Sequence, residues 1–287
     1  MEHITDIFSM EMLASTIRMA IPLILASIGG TICERSGIVN LGLEGMMLAG
    51  AFGGVLGTFL FGNPWLGVLT AVLVGGLLGL GHATLCVKYK TNQSVSGIGI
   101  NILVSGLTIV LTRAIWNSDG MSGQVEKLGN PNSYVVITVL VVAVAWFIMY
   151  RTKIGLRLRA IGDQPHAAET VGIHVSRYRY ACVTICGMLC GLAGAYLSIV
   201  QSNLFVKEMV AGRGYMALAA MILGAWNPVG ALAASLVFAF AQALRMNLQI
   251  EIPSQLMLML PYALTLIVLM TFGRNAKGPQ SAGKIEV

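Results

Sequence analysis

Charge is scarce in this 287-residue sequence: 18 Lys and Arg and 12 Asp and Glu make up 10% of it. A soluble domain carries about 25%, so the chain has no room for a sizeable water-exposed domain. No GxxxxGK[ST] phosphate loop is present, and neither HExxH nor GxSxG occurs. ATP binding by this chain and the common hydrolase chemistries are therefore not expected. The four His lie away from any candidate nucleophilic Ser within one hydrophobic run, and His166 and His174, eight apart, lack a third ligand. No metal site is expected. The five Cys include Cys182, Cys186 and Cys190, spaced four apart on one helix face without His or carboxylate nearby. They are read as small packing residues. The first twelve residues, MEHITDIFSMEM, lack a basic n-region, so no signal peptide is expected.

What the chain has instead is apolar length: 56% hydrophobic residues and a mean hydropathy of +0.79. Runs long enough to cross a bilayer, about 20 residues each, fall at 12–32, 37–62, 65–87, 93–113, 133–150, 179–200, 211–226, 228–247 and 255–272, with 37–62 long and broken by glycines and 211–226 short. No segment alternates in the manner of a barrel strand. The fold class is all-α and polytopic, with about 8–9 transmembrane helices, Pro22 and Pro261 predicting kinks. The 34 glycines suit close helix packing, with Gly75, Gly76, Gly79 and Gly81 on one small face and Gly187 and Gly191 on another.

The basic residues set topology rather than bind nucleic acid. Lys88 and Lys90, the segment 151–179 with Arg151, Lys153, Arg157, Arg159, Arg177 and Arg179, and the tail with Arg274, Lys277 and Lys284 all read as cytoplasmic. Loop 114–132 reads as external. Even numbers of spans separate the basic loops, which places the C-terminus inside and the N-terminus outside. Two Asn-Pro openings, NPWLG at 63–67 and NPVG at 227–230, each follow a Gly-rich run. Five spans lie between them, so the halves would be inverted repeats, each with one broken or re-entrant helix. The whole of 1–287 is one transmembrane domain: a first repeat at about 12–113, a connecting helix at 133–150, a cytoplasmic segment at 151–178 and a second repeat at about 179–272.

Three segments stand out. Residues 34–52, ERSGIVNLGLEGMMLAGAF, put Glu34, Arg35, Asn40, Glu44 and four glycines into or beside a span. A loosened polar backbone at that depth must be buried in protein or line a wet cavity. Asn40 and Glu44 are candidate pathway residues; interhelical hydrogen bonding is the other reading of Glu44. Glu34 and Arg35 read as interfacial anchors. Residues 91–106, TNQSVSGIGINILVSG, add Asn101 as a third pathway candidate, while Asn92 and Gln93 read as surface caps. Amides and hydroxyls of this kind suit a neutral, hydrogen-bonding solute. Residues 165–171, PHAAETV, read as a short helix opened by Pro165 and stopped by Gly172.

The first of these motifs, together with GLRLRAIGDQPHAAETVGI at 155–173, resembles the permease subunits of ATP-binding-cassette importers. The match is to the branched-chain amino acid/simple-sugar permease superfamily, nearest its nucleoside branch. The resemblance implies a non-enzymatic transport subunit that works by alternating access in a bacterial inner membrane. A cytoplasmic ATPase would bind the ATP, so no cofactor is expected in this chain. A second permease, in the form of a longer paralogue, and an extracytoplasmic substrate-binding lipoprotein complete the implied partners, with membrane lipid around them. Residues 162–173 match the family's ATPase-coupling helix, with Gly162, Pro165, Ala167, Ala168, Glu169 and Gly172 at its positions. The implied solute is a nucleoside; a simple sugar is the alternative. A secondary transporter acting alone is a third reading, and a membrane-embedded enzyme a fourth.

Overall fold

The computed structural model describes residues 10–129, 132–247, 270 and 278–284. Among these the chain is helical with no named strand: α1 (Met10–Arg35), α2 (Leu43–Phe61), α3 (Pro64–Lys88), α4 (Gln93–Trp116), α5 (Asn132–Arg151), α6 (Lys153–Asp163), α7 (Pro165–Thr170), α8 (Val175–Ser202), α9 (Arg213–Leu223) and α10 (Pro228–Asn247). Seven of the described helices, α1 to α5, α8 and α10, are long and apolar enough to cross a membrane. The expected span at 255–272, with Pro261, lies outside the described residues apart from Met270, as do the first nine residues, Arg274 and Lys277.

Two of the expected spans are shorter as helices than as apolar runs. The run at 37–62 becomes a helix only from Leu43; residues 36–42 are non-helical yet enclosed, with Ser36, Ile38 and Asn40 buried. The run at 211–226 yields α9, whose 11 residues extend about 16 Å, roughly half of the ~30 Å hydrocarbon core. Local signals account for the other ends. Gly62 terminates α2 in the left-handed conformation at φ 62°, where a Cβ is costly. The two Asn-Pro pairs act alike: the Asn63 side chain accepts from Trp65 N–H at 2.9 Å, and that of Asn227 from Val229 N–H at 3.1 Å. In each case proline takes the first helical position, where a missing N–H is harmless. α1 runs through Pro22 without a break in the helix.

Small residues hold the centre together. A Cβ on Gly50 would lie 2.4 Å from Gly191 Cα, and one on Gly75 2.2 Å from the Gly187 carbonyl oxygen, so α2 and α3 both meet α8 backbone to backbone. Hydrophobic driving force is absent between helices in lipid, and close approach of this kind replaces it with dispersion contact. Gly81, assigned to the same small face by sequence, has open space beside it and takes no part. The five cysteines are free and buried. A second apolar cluster joins α1, α9 and α10 through Leu23, Ile28, Met216 and Phe238. Between α1 and α10 the buried hydroxyls of Ser27 and Ser235 pair at 3.1 Å.

Residues 278–284 pack into one end of this bundle. The Ser281 hydroxyl donates to the Gly162 carbonyl oxygen at 2.7 Å, its backbone N–H donates to the same oxygen at 3.0 Å, and the side chain fills the space beside Gly37. Gly37, at φ +90°, opens the break after α1.

Candidate functional site

The break at 36–42 is pinned on three sides. Asn40 closes a turn by accepting from Gly42 N–H at 2.9 Å, while its amide NH2 points at the sulfurs of Met46 (3.4 Å) and Cys186 (3.5 Å). The Gln93 side-chain oxygen accepts from Val39 N–H at 2.7 Å. His82, itself 2.9 Å from the Ser96 hydroxyl, lies 3.2 Å from the Val39 carbonyl oxygen. Asn101 does most: its oxygen accepts from Gly45 N–H at 2.8 Å, and its NH2 donates to the Leu41 carbonyl at 2.9 Å and the Tyr215 hydroxyl at 3.0 Å. The backbone groups that a break leaves without helical partners are thus satisfied by side chains, as burial requires.

Glu44 joins the start of α2 to the start of the half-length α9. One carboxylate oxygen accepts from Gly212 N–H at 2.7 Å and the other from Gly214 N–H at 2.6 Å, at the first turn of α9. Glu44 also sits in the first turn of its own helix, α2. Two helix N-termini, each carrying about half a positive charge, therefore share one carboxylate. Gly214 must be glycine here, since a Cβ would fall 2.5 Å from the Glu44 backbone nitrogen.

From this junction a polar strip runs along the bundle surface: Glu44, Asn101, Tyr215, Ser105 and Glu208. The Ser105 hydroxyl donates to the Glu208 carboxylate. Asn101 and Ser105 are one turn apart on α4, and Tyr215 is 50% exposed. Beyond the strip α4 exposes Ile98, Ile102, Leu103 and Val110.

Of the three pathway candidates, Glu44 and Asn101 meet at the junction and are partly exposed. Asn40 is fully enclosed and faces protein rather than the strip, because its amide is needed to close the turn. Gln93 is likewise buried against the break instead of lying at the surface. The expected anchors behave differently too. Glu34 is buried and accepts from the Trp226 indole N–H at 2.6 Å, while Arg35 donates to the Trp226 and Ala225 carbonyls at 3.0 and 3.2 Å. Together they clasp the turn between α9 and α10. Glu208 and Tyr215 were not identified from sequence. Glu208, a carboxylate between two apolar runs, was the available signal.

The short helix expected at 165–171 is α7, followed by Gly172 at φ 81°. Pro165 and Ala168 on its inner face are buried, as is Gly162 of α6, with Ile161, Ala168 and Val175 forming a small core. Ala167, Glu169 and Gly172 are exposed. No cluster of three or more His, Cys, Asp or Glu able to hold a metal occurs among the described residues.

Sequence comparison agrees with this architecture. A guanosine ABC transporter permease, NupQ of Bacillus subtilis, is 37% identical over 94% of each chain. A nucleoside ABC transporter permease, NupC of Lactococcus lactis, is 37% identical over 91% of this chain and 92% of its own. A permease named for glucose, TsgC13 of Haloferax volcanii, is 36% identical over 84% of this chain and 79% of its own. Among solved structures, an inward-facing metal-chelate type ABC transporter superposes with a TM-score of 0.51 at 16% identity, covering 90% of this chain and 85% of that one. That likeness concerns the fold alone. Residues 12–269 match the family described as branched-chain amino acid transport system / permease component. The chain belongs to that family of multi-pass transport permeases.

Proposed function

We propose that this protein is the transmembrane subunit of an ATP-driven nucleoside importer, and that Glu44, Asn101, Ser105, Glu208 and Tyr215 line its pathway. The observation that carries the reading is the polar strip on the outside of the bundle. Carboxylates and amides cannot face hydrocarbon, so a second permease subunit closes the strip into a pore. The apolar residues flanking it on α4 supply the contact. Broken helices whose N-termini meet at the midplane are a recurrent transporter site, and here α2 and α9 meet on Glu44. The halves around them are inverted repeats.

Asn101 and the hydroxyls of Tyr215 and Ser105 offer donors and acceptors to ribose and base edges, and the exposed Tyr215 ring offers a face for a base to stack on. The two relatives at 37% identity, each matched over more than nine-tenths of this chain, are named as guanosine and nucleoside permeases. ATP is bound by a separate cytoplasmic ATPase, which docks on the exposed side of α7 at Ala167 and Glu169. A substrate-binding lipoprotein delivers the solute from outside. The C-terminus is cytoplasmic and the N-terminus external. A simple sugar is the second reading, favoured by the glucose-named relative.

The test is uptake of labelled guanosine by proteoliposomes holding the permease pair and its ATPase, with binding protein added. ATP-dependent uptake, competed by nucleosides but not by glucose or ribose, is expected. Tyr215→Leu should lower it by about tenfold, the worth of roughly one base–aromatic stack. Uptake by this chain alone, driven by an ion gradient, would sink the assignment.

A further inference from the structure

A groove of about 520 Å³ opens between α5 and α8, floored by Ile32 of α1. Its walls are Leu140, Val144 and Ile148 on one side and Ala181, Ile185 and Leu189 on the other. At one end it meets α6 through Ile154 and Leu158 and finishes at Arg177 and Tyr178. The apolar character is continuous up to that end, where the only charged lining residue among the described ones, Arg177, stands.

Three features identify the occupant. First, the groove has the length of one leaflet. Arg177 and Leu189 are twelve positions apart on α8, about 18 Å of helix, against roughly 15 Å for half the hydrocarbon core. A partner helix would need a groove crossing the whole bilayer. Second, the closed end lies at headgroup level. The Arg151 guanidinium sits 5.7 Å from the Trp146 ring and that of Arg159 5.3 Å from the Tyr150 ring, an aromatic and basic belt typical of the membrane–water boundary. Third, the charge there is positive and available. The Arg157 guanidinium donates to the Tyr178 hydroxyl at 3.3 Å, which brings a second arginine to the same mouth. Neither Arg157 nor Arg177 forms an ion pair with a carboxylate among the described residues.

We propose that this groove is a binding site for one anionic phospholipid. An acyl chain lies between α5 and α8, and the phosphate is held by Arg157 and Arg177 beside Tyr178. Basic pockets between transmembrane helices bind anionic headgroups in this way. The lipid thereby touches α6, which leads directly into α7, so occupancy steadies the segment through which this chain meets its neighbour in the aqueous phase.

Native mass spectrometry of the purified transporter complex, after incubation with nanodiscs of phosphatidylglycerol or of phosphatidylcholine, tests this. Phosphatidylglycerol should be retained preferentially, by about fivefold for each engaged arginine. Arg157→Gln with Arg177→Gln should erase the preference while leaving the melting temperature unchanged. Ala181→Leu, which narrows the groove, should lower retention of both lipids. Equal retention by the unsubstituted protein, or a preference that survives the double substitution, overturns the proposal. Loss of the second permease subunit from the Ala181→Leu complex also overturns it, since the groove would then be a subunit contact.

Discussion

At the scale of single residues, the decisive group is Glu44. Its two oxygens each take one N–H from α9, and hydrogen bonds to a charged group contribute about 1.5–3 kcal/mol each. Glu44→Gln keeps one acceptor but turns an NH2 toward the other N–H. We expect it to lower stability by roughly 2 kcal/mol, read as a drop in melting temperature in detergent, and to reduce uptake beyond what the loss of folded protein explains. An unchanged melting temperature would mean that the junction does not depend on the charge. Glu44 and Asn101 were legible in the sequence because a carboxylate or amide inside an apolar run has few explanations. Asn40 looked the same by that criterion, yet its partners are the backbone two residues on and two sulfurs. Side-chain direction at a chain break is not encoded in spacing. Glu208 escaped notice because it stands beside Lys207 in a stretch that reads as an ordinary loop, and only the fold brings it to Ser105.

At the scale of elements, the helices are held by glycines whose importance differs sharply. Gly75→Ala would drive a methyl to 2.2 Å from the Gly187 carbonyl oxygen and should cost about 1–3 kcal/mol as overpacking. Gly99→Ala and Gly106→Ala, on α4 with nothing within 4 Å, should be neutral or stabilising by up to about 1 kcal/mol from helix propensity. Melting curves of the three variants check the contrast; equal effects would refute the packing account. Sequence placed most span ends within a few residues because Asn-Pro openings and Gly stops act locally. The run at 37–62, read as broken by its glycines, is broken at 36–42, and hydropathy alone does not mark where the helix resumes because those residues are buried without being helical. Gly81 misled for a related reason: a glycine on a small-looking face does not say whether another backbone comes to it.

At the scale of the whole molecule, the clasp of Glu34 and Arg35 on the turn at 225–226 ties the first half to the second. Trp226→Phe preserves the ring but removes the indole donor, leaving a buried carboxylate short of a partner at a cost of about 1–3 kcal/mol. It should lower the melting temperature and loosen the dependence of uptake on ATP, measured as solute moved per ATP hydrolysed. Glu34→Gln paired with Trp226→Phe should recover part of the stability, because the charge is removed along with its donor. Failure to recover any would show that the pair is not energetically coupled. Ala168→Glu, at a position 3% exposed on the buried face of α7, should abolish ATP-dependent uptake while leaving membrane insertion intact, judged by yield in the membrane fraction.

Ser281 is hydrogen-bonded to Gly162 and packed on Gly37, and it leaves the ribosome after all ten described helices have been made. The end of the bundle where the first helix gives way to the break therefore stays unfinished throughout synthesis. A chain that stalls short of residue 281 would lack both the bonds to the Gly162 carbonyl and the side chain that fills the space beside Gly37.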